Sequence, residues 1–174
     1  MGILEYIRKN YNTVQISEEK IDQVIKGIKY FVQKNWTIYV CGNGGSGYTG
    51  SHFVQDLVKV HGVKAYSLND NSGLVTAIAN DSAYSSVFAD QIAHIRDPFM
   101  LIAISCSGNS ENVISAASLT RYKHNPVLSF TAYDGGLLAR PNMSTLNINV
   151  GTNNIYVAES IHSLILHYVI DELK

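Results

Sequence analysis

Three hydroxyl side chains fall within six residues in Ser105-Cys106-Ser107-Gly108-Asn109-Ser110, directly ahead of a helix-like run from Glu111. A phosphate group needs several short donors at one place. Serine hydroxyls, backbone N–H groups freed by a glycine, and the positive end of a helix dipole supply them without any Lys or Arg. Ser110 alone would be explained as an N-cap, but capping accounts for one serine and not for three. Cys106 sits inside the same loop and reads as a small filler.

A second loop, Gly42-Asn43-Gly44-Gly45-Ser46, also ends a strand-like run and precedes a helical pattern. Its glycines let backbone approach a ligand, and the helix behind it offers N–H groups to an anion. The spacing is neither the dinucleotide GxGxxG nor a P-loop, which requires a Lys, so no nucleotide cofactor is expected. A plain tight turn explains the loop equally well when it is taken alone.

Acid–base and metal-binding types recur at helical spacing. His52 and Asp56 are four residues apart and share one helix face. Glu159 and His167 are eight apart, within roughly 80° of each other and about 12 Å along the axis. Two His and two carboxylates form a plausible set for Zn²⁺ or a similar divalent ion. A surface His–Asp hydrogen bond and a satisfied core histidine are the competing readings, and His162 is a rival ligand.

The elements that must carry these groups alternate. Helical spacing over 17–35, with Ser17 as N-cap, precedes an apolar strand at 36–41. The glycine turn follows, then a helix with Phe53, Leu57 and Val60 on its apolar face. A short strand is expected at 64–68, loop at 69–72, and helices at 74–79 and 82–95. The unbroken apolar run at 99–104 predicts a strand covered on both faces. Helix 111–122, strands 126–131 and 146–150, a turn at Asp134-Gly135-Gly136 and a helix over 154–173 complete the chain. Such alternation argues for a three-layer α/β fold, an open parallel sheet with helices on both faces. Residues 1–174, including an N-terminal helical segment 1–35, read as a single domain. Ile3, Leu4 and Ile7 are apolar at the start and suit either the chain's own core or a partner subunit.

The bulk composition narrows the function classes. With 174 residues, 46% apolar and 16% charged, the chain has a globular composition. A net charge of −1 argues against nucleic acid as a main partner. No apolar stretch reaches the ~18–20 residues of a membrane span. The first residues read neither as a signal peptide nor, with Tyr6 at the key position, as a myristoylation site. Two cysteines are too few for a disulfide framework, so a reducing cytoplasm is expected.

Cys41-Gly42-Asn43-Gly44-Gly45-Ser46, His52-Phe53-Val54-Gln55-Asp56-Leu57 and Ser105-Cys106-Ser107-Gly108-Asn109-Ser110-Glu111-Asn112 occur in this order, with LVTAIAND at 74–81, Tyr84, Phe88 and Asp134-Gly135-Gly136. Together they resemble the sugar isomerase (SIS) domain family, and within it the phosphoheptose isomerases, from about residue 36 onward. The resemblance implies a five-stranded parallel sheet with long terminal helices, and a homotetramer with active sites between subunits. It implies sedoheptulose 7-phosphate as the substrate, for surface heptose synthesis. Carried over by position, it implies a Zn²⁺ site at His52, Asp56, Glu159 and His167. Asp56 and His167 then share proton transfer through a cis-enediol. Ser46, Ser105, Ser107 and Ser110 hold phosphate, with Gly44 and Cys106 alongside them, and Asn43 and Asp81 contact sugar hydroxyls. Asp81 serves equally well as a cap for a helix starting near Ser82.

Several positions depart from the family pattern. Asp56 stands for Glu, Glu159 for Gln, and Tyr156-Val157-Ala158 for an acidic-Arg-Ile run; Lys59 is the nearest basic residue to a usual Arg. They keep open an isomerase for a different sugar phosphate, or a non-catalytic tetrameric adaptor that binds a replication-initiator-type protein. A phosphosugar-sensing regulatory domain is a third reading, for which 174 residues leave no second module.

Overall fold

A computed structural model describes residues 1–12, 14 and 16–173. Positions 13, 15 and 174 lie outside the described residues, so the expected helical segment 1–35 is seen without the first two. That segment divides into α1 (Ile3–Tyr11) and α2 (Glu18–Gln33). The Ser17 hydroxyl accepts from the Lys20 N–H and starts α2 as the sequence predicts.

Five strands, β1 (Thr37–Gly42), β2 (Ala65–Ser67), β3 (Phe99–Ile104), β4 (Val127–Thr131) and β5 (Leu146–Asn149), form one parallel sheet in the order β2-β1-β3-β4-β5. Alternation along each strand divides the core into two layers. Ile38, Val40, Met100, Ile102 and Ile104 face α2, α3 (Gly44–His61) and α7 (Ile155–Glu172). Cys41, Phe99, Leu101 and Ala103 face the layer of α4 (Ser72–Asp81), α5 (Ala89–Ala93) and α6 (Glu111–Tyr122). All six residues of β3 are buried, which is why its apolar run has no polar interruption. The result is the expected three-layer α/β architecture.

The order reverses between β1 and β3. Their carboxyl ends therefore open into the crevice where a doubly wound sheet places its ligands. The loops at 42–46 and 105–110 follow these two strands, so the topology brings them together.

Three local expectations need correction. The glycine turn is shorter than its composition suggests, since α3 already begins at Gly44. Val60 is 53% exposed, while Phe53 and Leu57 are buried as expected. The helix expected over 82–95 is broken. Ser82 leaves helical geometry, Ala83 is extended, and a single 3₁₀ turn (Tyr84–Ser86) precedes the short α5. Burying Val87, Phe88 and Ile92 against the sheet overrides local helical spacing, and the Gln91 amide ties the segment to the Leu68 carbonyl.

Candidate functional site

The serine loop forms one wall of a cleft of about 280 Å³. Ser105, Cys106, Ser107 and Ser110 line it, and Asn43 and Ser46 face them from the β1–α3 junction. The Ser105 hydroxyl donates to Ser110 Oγ at 3.2 Å, while Ser107 Oγ accepts from the Asn109 N–H. Ser110 occupies the N-cap position of α6, yet its side chain makes no capping bond. Capping therefore does not account for Ser110, and its hydroxyl stands at the cleft with the first N–H groups of α6 behind it. Gly44 lies apart, in an adjoining cleft of about 430 Å³ with Tyr48, Ser51 and Asp70.

Backbone packing fixes this loop. Gly108, at φ +63, has the Gly135 backbone where a Cβ would stand, and Gly136, at φ +56, is crowded in the same way by Ser107 and Asn109. The Leu138 N–H donates to the Gly108 carbonyl at 2.9 Å, and the Leu137 N–H to Asn109 Oδ1 at 3.0 Å. The Asp134-Gly135-Gly136 turn is thus the buttress of the serine loop.

Cys106 lies 3.9 Å from Ser46 Oγ. Burial pushes its thiol pKa up, and the nearby Glu159 charge adds to the effect. A protonated, packed thiol fits the filler role. Burial pushes Cys41 up to about 12.

Glu159 also lines the serine cleft. A Cβ at Gly45 would fall 2.5 Å from both of its carboxylate oxygens, so the missing side chain is what lets the carboxylate lie against the first turn of α3. It has no hydrogen bond or ion pair among the described residues. The α3 dipole is its local source of favourable potential.

His52, Asp56 and His167 come together where α3 crosses α7. One ligand atom from each lies within 4.8 Å of the others, with His52 Nε2 3.5 Å from Asp56 Oδ2 and the two imidazole centroids 5.0 Å apart. Glu159, two turns earlier on α7, does not join this group. Side-chain exposure is 51% for His52 and 18% for Asp56, and His167 is exposed. His–Asp–His is a sound donor set for a divalent ion, and the exposed side leaves room for water or substrate oxygens.

Two further candidates are placed elsewhere. His162 is fully buried, bonded through Nε2 to the Thr131 carbonyl at 3.0 Å, and is not a ligand of the cluster. Asp81 ends α4, accepts from Asn80 Nδ2 at 2.9 Å and does not line the serine cleft. No helix begins at Ser82 for it to cap.

The environment of His162 has a measurable consequence. Burial lowers its pKa to about 4 from an ordinary 6.5, and its Nδ1 has no partner among the described residues. Between those values the unfolded chain binds the extra proton. Stability is therefore undiminished above pH 6.5 and falls as pH drops toward 4, by about 3 kcal/mol for this group. Urea unfolding at pH 7 and pH 4.5 should show a smaller acid loss in His162→Gln than in the wild type. Parallel losses would contradict this.

Residues not singled out as site residues by the sequence also shape the cleft. Tyr133 (φ +51) and Ile155 line it. Asn112, 3% exposed, pairs its amide with that of Asn43, which Tyr84 also contacts. Asn112 and Tyr84 lie within the family motifs, and their positions there were the available signal.

A doubly wound parallel sheet, with a glycine loop and a serine loop meeting at its switch point, defines the class. The family model described as SIS domain matches residues 4–132, and the chain belongs to that family. Among its relatives, the phosphoheptose isomerase of Shewanella sp. (strain W3-18-1) is 29% identical over 97% of this chain and 89% of its own. That of Shewanella sp. (strain ANA-3) is 33% identical over 78% and 73%. The structure of a phosphoheptose isomerase from Francisella tularensis superposes with a TM-score of 0.85 at 26% identity, covering 99% of this chain and 98% of that one.

Proposed function

We propose that this chain is a sugar-phosphate aldose–ketose isomerase, with sedoheptulose 7-phosphate as the substrate and surface heptose synthesis as the setting. The observation that carries this reading is the convergence of Ser46, Ser105, Ser107 and Ser110 on one cleft at the start of α6, in a chain that also gathers His52, Asp56 and His167 between α3 and α7. The similarity to phosphoheptose isomerases along nearly the whole chain supports it.

In this reading the serine hydroxyls and α6 N–H groups hold the phosphate, and Asn43 contacts a sugar oxygen. Asp81 requires movement or a neighbouring subunit to reach the sugar. Asp56 and His167 move the proton between C1 and C2 by way of an enediol, one as base while the other protonates oxygen. His52, Asp56 and His167 would hold a Zn²⁺ ion, with Glu159 as a further ligand if its carboxylate swings from the α3 terminus. A residue bound tightly to metal is a poor base, so in this reading ligation and proton transfer belong to different states of the site or are divided between Asp56 and His167. Bound there, the metal would polarise the carbonyl and hydroxyl oxygens.

The exposure of His52 and His167 favours a site completed between subunits, since water must be excluded for efficient proton transfer. Ile3, Leu4 and Ile7 on α1 are 71%, 66% and 44% exposed, Met1 just ahead of it is 73% exposed, and α1 buries no residue. This unpaired apolar face supports a homotetramer. A reducing cytoplasm agrees with two free, buried cysteines. The test is aldose formation from sedoheptulose 7-phosphate, combined with elemental analysis of the purified protein. An adaptor would bind without turnover.

A further inference from the structure

The cleft contains a chain of hydrogen bonds whose polarity can be read from one backbone group. The Val113 N–H donates to Asn112 Oδ1 at 3.0 Å. A backbone amide can only donate, so this contact fixes which end of the buried Asn112 side chain is oxygen. Asn112 Oδ1 also accepts from Asn43 Nδ2 at 2.8 Å, and Asn112 Nδ2 donates back to Asn43 Oδ1 at 2.8 Å. The Tyr84 hydroxyl donates to the same Asn43 oxygen at 3.2 Å. Both lone pairs of Asn43 Oδ1 are then in use, and so is one of its two N–H groups. The second N–H is the hydrogen-bonding capacity that Asn43 retains, and Asn43 lines both the serine cleft and the adjoining cleft beside Tyr84.

We infer that Asn112 is a positioning residue that, with Tyr84, locks the Asn43 amide as an obligate hydrogen-bond donor to an oxygen of the bound phosphosugar. The inference rests on the reading of the cleft as a phosphosugar site. Its physical content is directional. A free asparagine can rotate its amide and accept from a sugar hydroxyl as readily as it donates. A locked one favours phosphate, carbonyl or enediolate oxygen, which only accept. Asn112 is deep enough that an unpaired amide would be costly, and Asn43 is the side chain that satisfies it. Residue 43 in the β1–α3 loop and residue 112 in the first turn of α6 are thereby tied across the crevice.

A double-mutant cycle on sedoheptulose 7-phosphate affinity separates positioning from mere structural support. Calorimetric titration of the wild type comes first, and absence of binding there would reject the phosphosugar reading itself. Given binding, Asn112→Ala is expected to weaken it about tenfold in the wild-type background and to have no further effect in an Asn43→Ala background. Tyr84 is 58% exposed, so Tyr84→Phe leaves folding unaffected and provides a second arm should Asn112→Ala unfold. It is expected to cost two- to threefold with Asn43 present and nothing with Asn43→Ala. Equal losses in both backgrounds, for whichever variant folds, would overturn the inference while leaving the phosphosugar reading intact. So would full affinity in the Tyr84 and Asn112 variants.

Discussion

Asp56→Asn is expected to lower turnover of sedoheptulose 7-phosphate by about 10²–10⁴-fold, the range for losing a positioned acid–base group, and His167→Ala should fall in the same range. Asparagine preserves the size of residue 56 but cannot take up a proton. Asp56 lies with His52 and His167 in the cluster between α3 and α7, whereas the hydroxyls assigned to phosphate line the cleft at α6. In the proposed reading binding and chemistry draw on different residues, so the loss should appear in kcat, with KM changed little. The two changes also remove metal donors, so the metal content of each variant should be measured beside its kinetics. A variant that retains its metal and loses turnover assigns the residue to proton transfer. Turnover untouched by both substitutions would reject the roles given to them.

Gly108→Ala is expected to destabilise the protein by about 3 kcal/mol or more and to abolish phosphosugar binding in whatever folded protein remains. At φ +63 an L side chain is already strained, and here its Cβ would enter the backbone of Gly135. Neither obstacle is a flexible side chain that can turn aside. For a chain of this length the change corresponds to about 6–12 °C in Tm. Gly62, also at positive φ but with open space around it, is the control. Gly62→Ala should cost only the conformational strain, about 1–2 kcal/mol, and should leave binding intact. Equal effects from the two substitutions would show that the loop–turn junction does not shape the site.

Elements whose local pattern and tertiary environment agree were legible in the sequence. The 99–104 run is a doubly covered strand, as its unbroken apolarity requires. Ser17 caps the helix that follows it. The serine cleft was legible too, because hydroxyl density before a helix is a local signal. The 82–95 segment failed because helical spacing there competes with the burial of Val87 and Phe88. The position of Glu159 against α3 depends on the absence of a side chain at Gly45, more than one hundred residues away. The Asn43–Asn112 pair likewise joins two loops that only the strand order brings together. Neither contact leaves a periodic trace in the chain.

The most direct measurement is a crystal structure with sedoheptulose 7-phosphate bound. The expected density places the phosphate oxygens within hydrogen-bonding distance of the Ser105, Ser107 and Ser110 hydroxyls and the first N–H groups of α6. A phosphate lodged at another surface, with those three hydroxyls untouched by ligand, would contradict it.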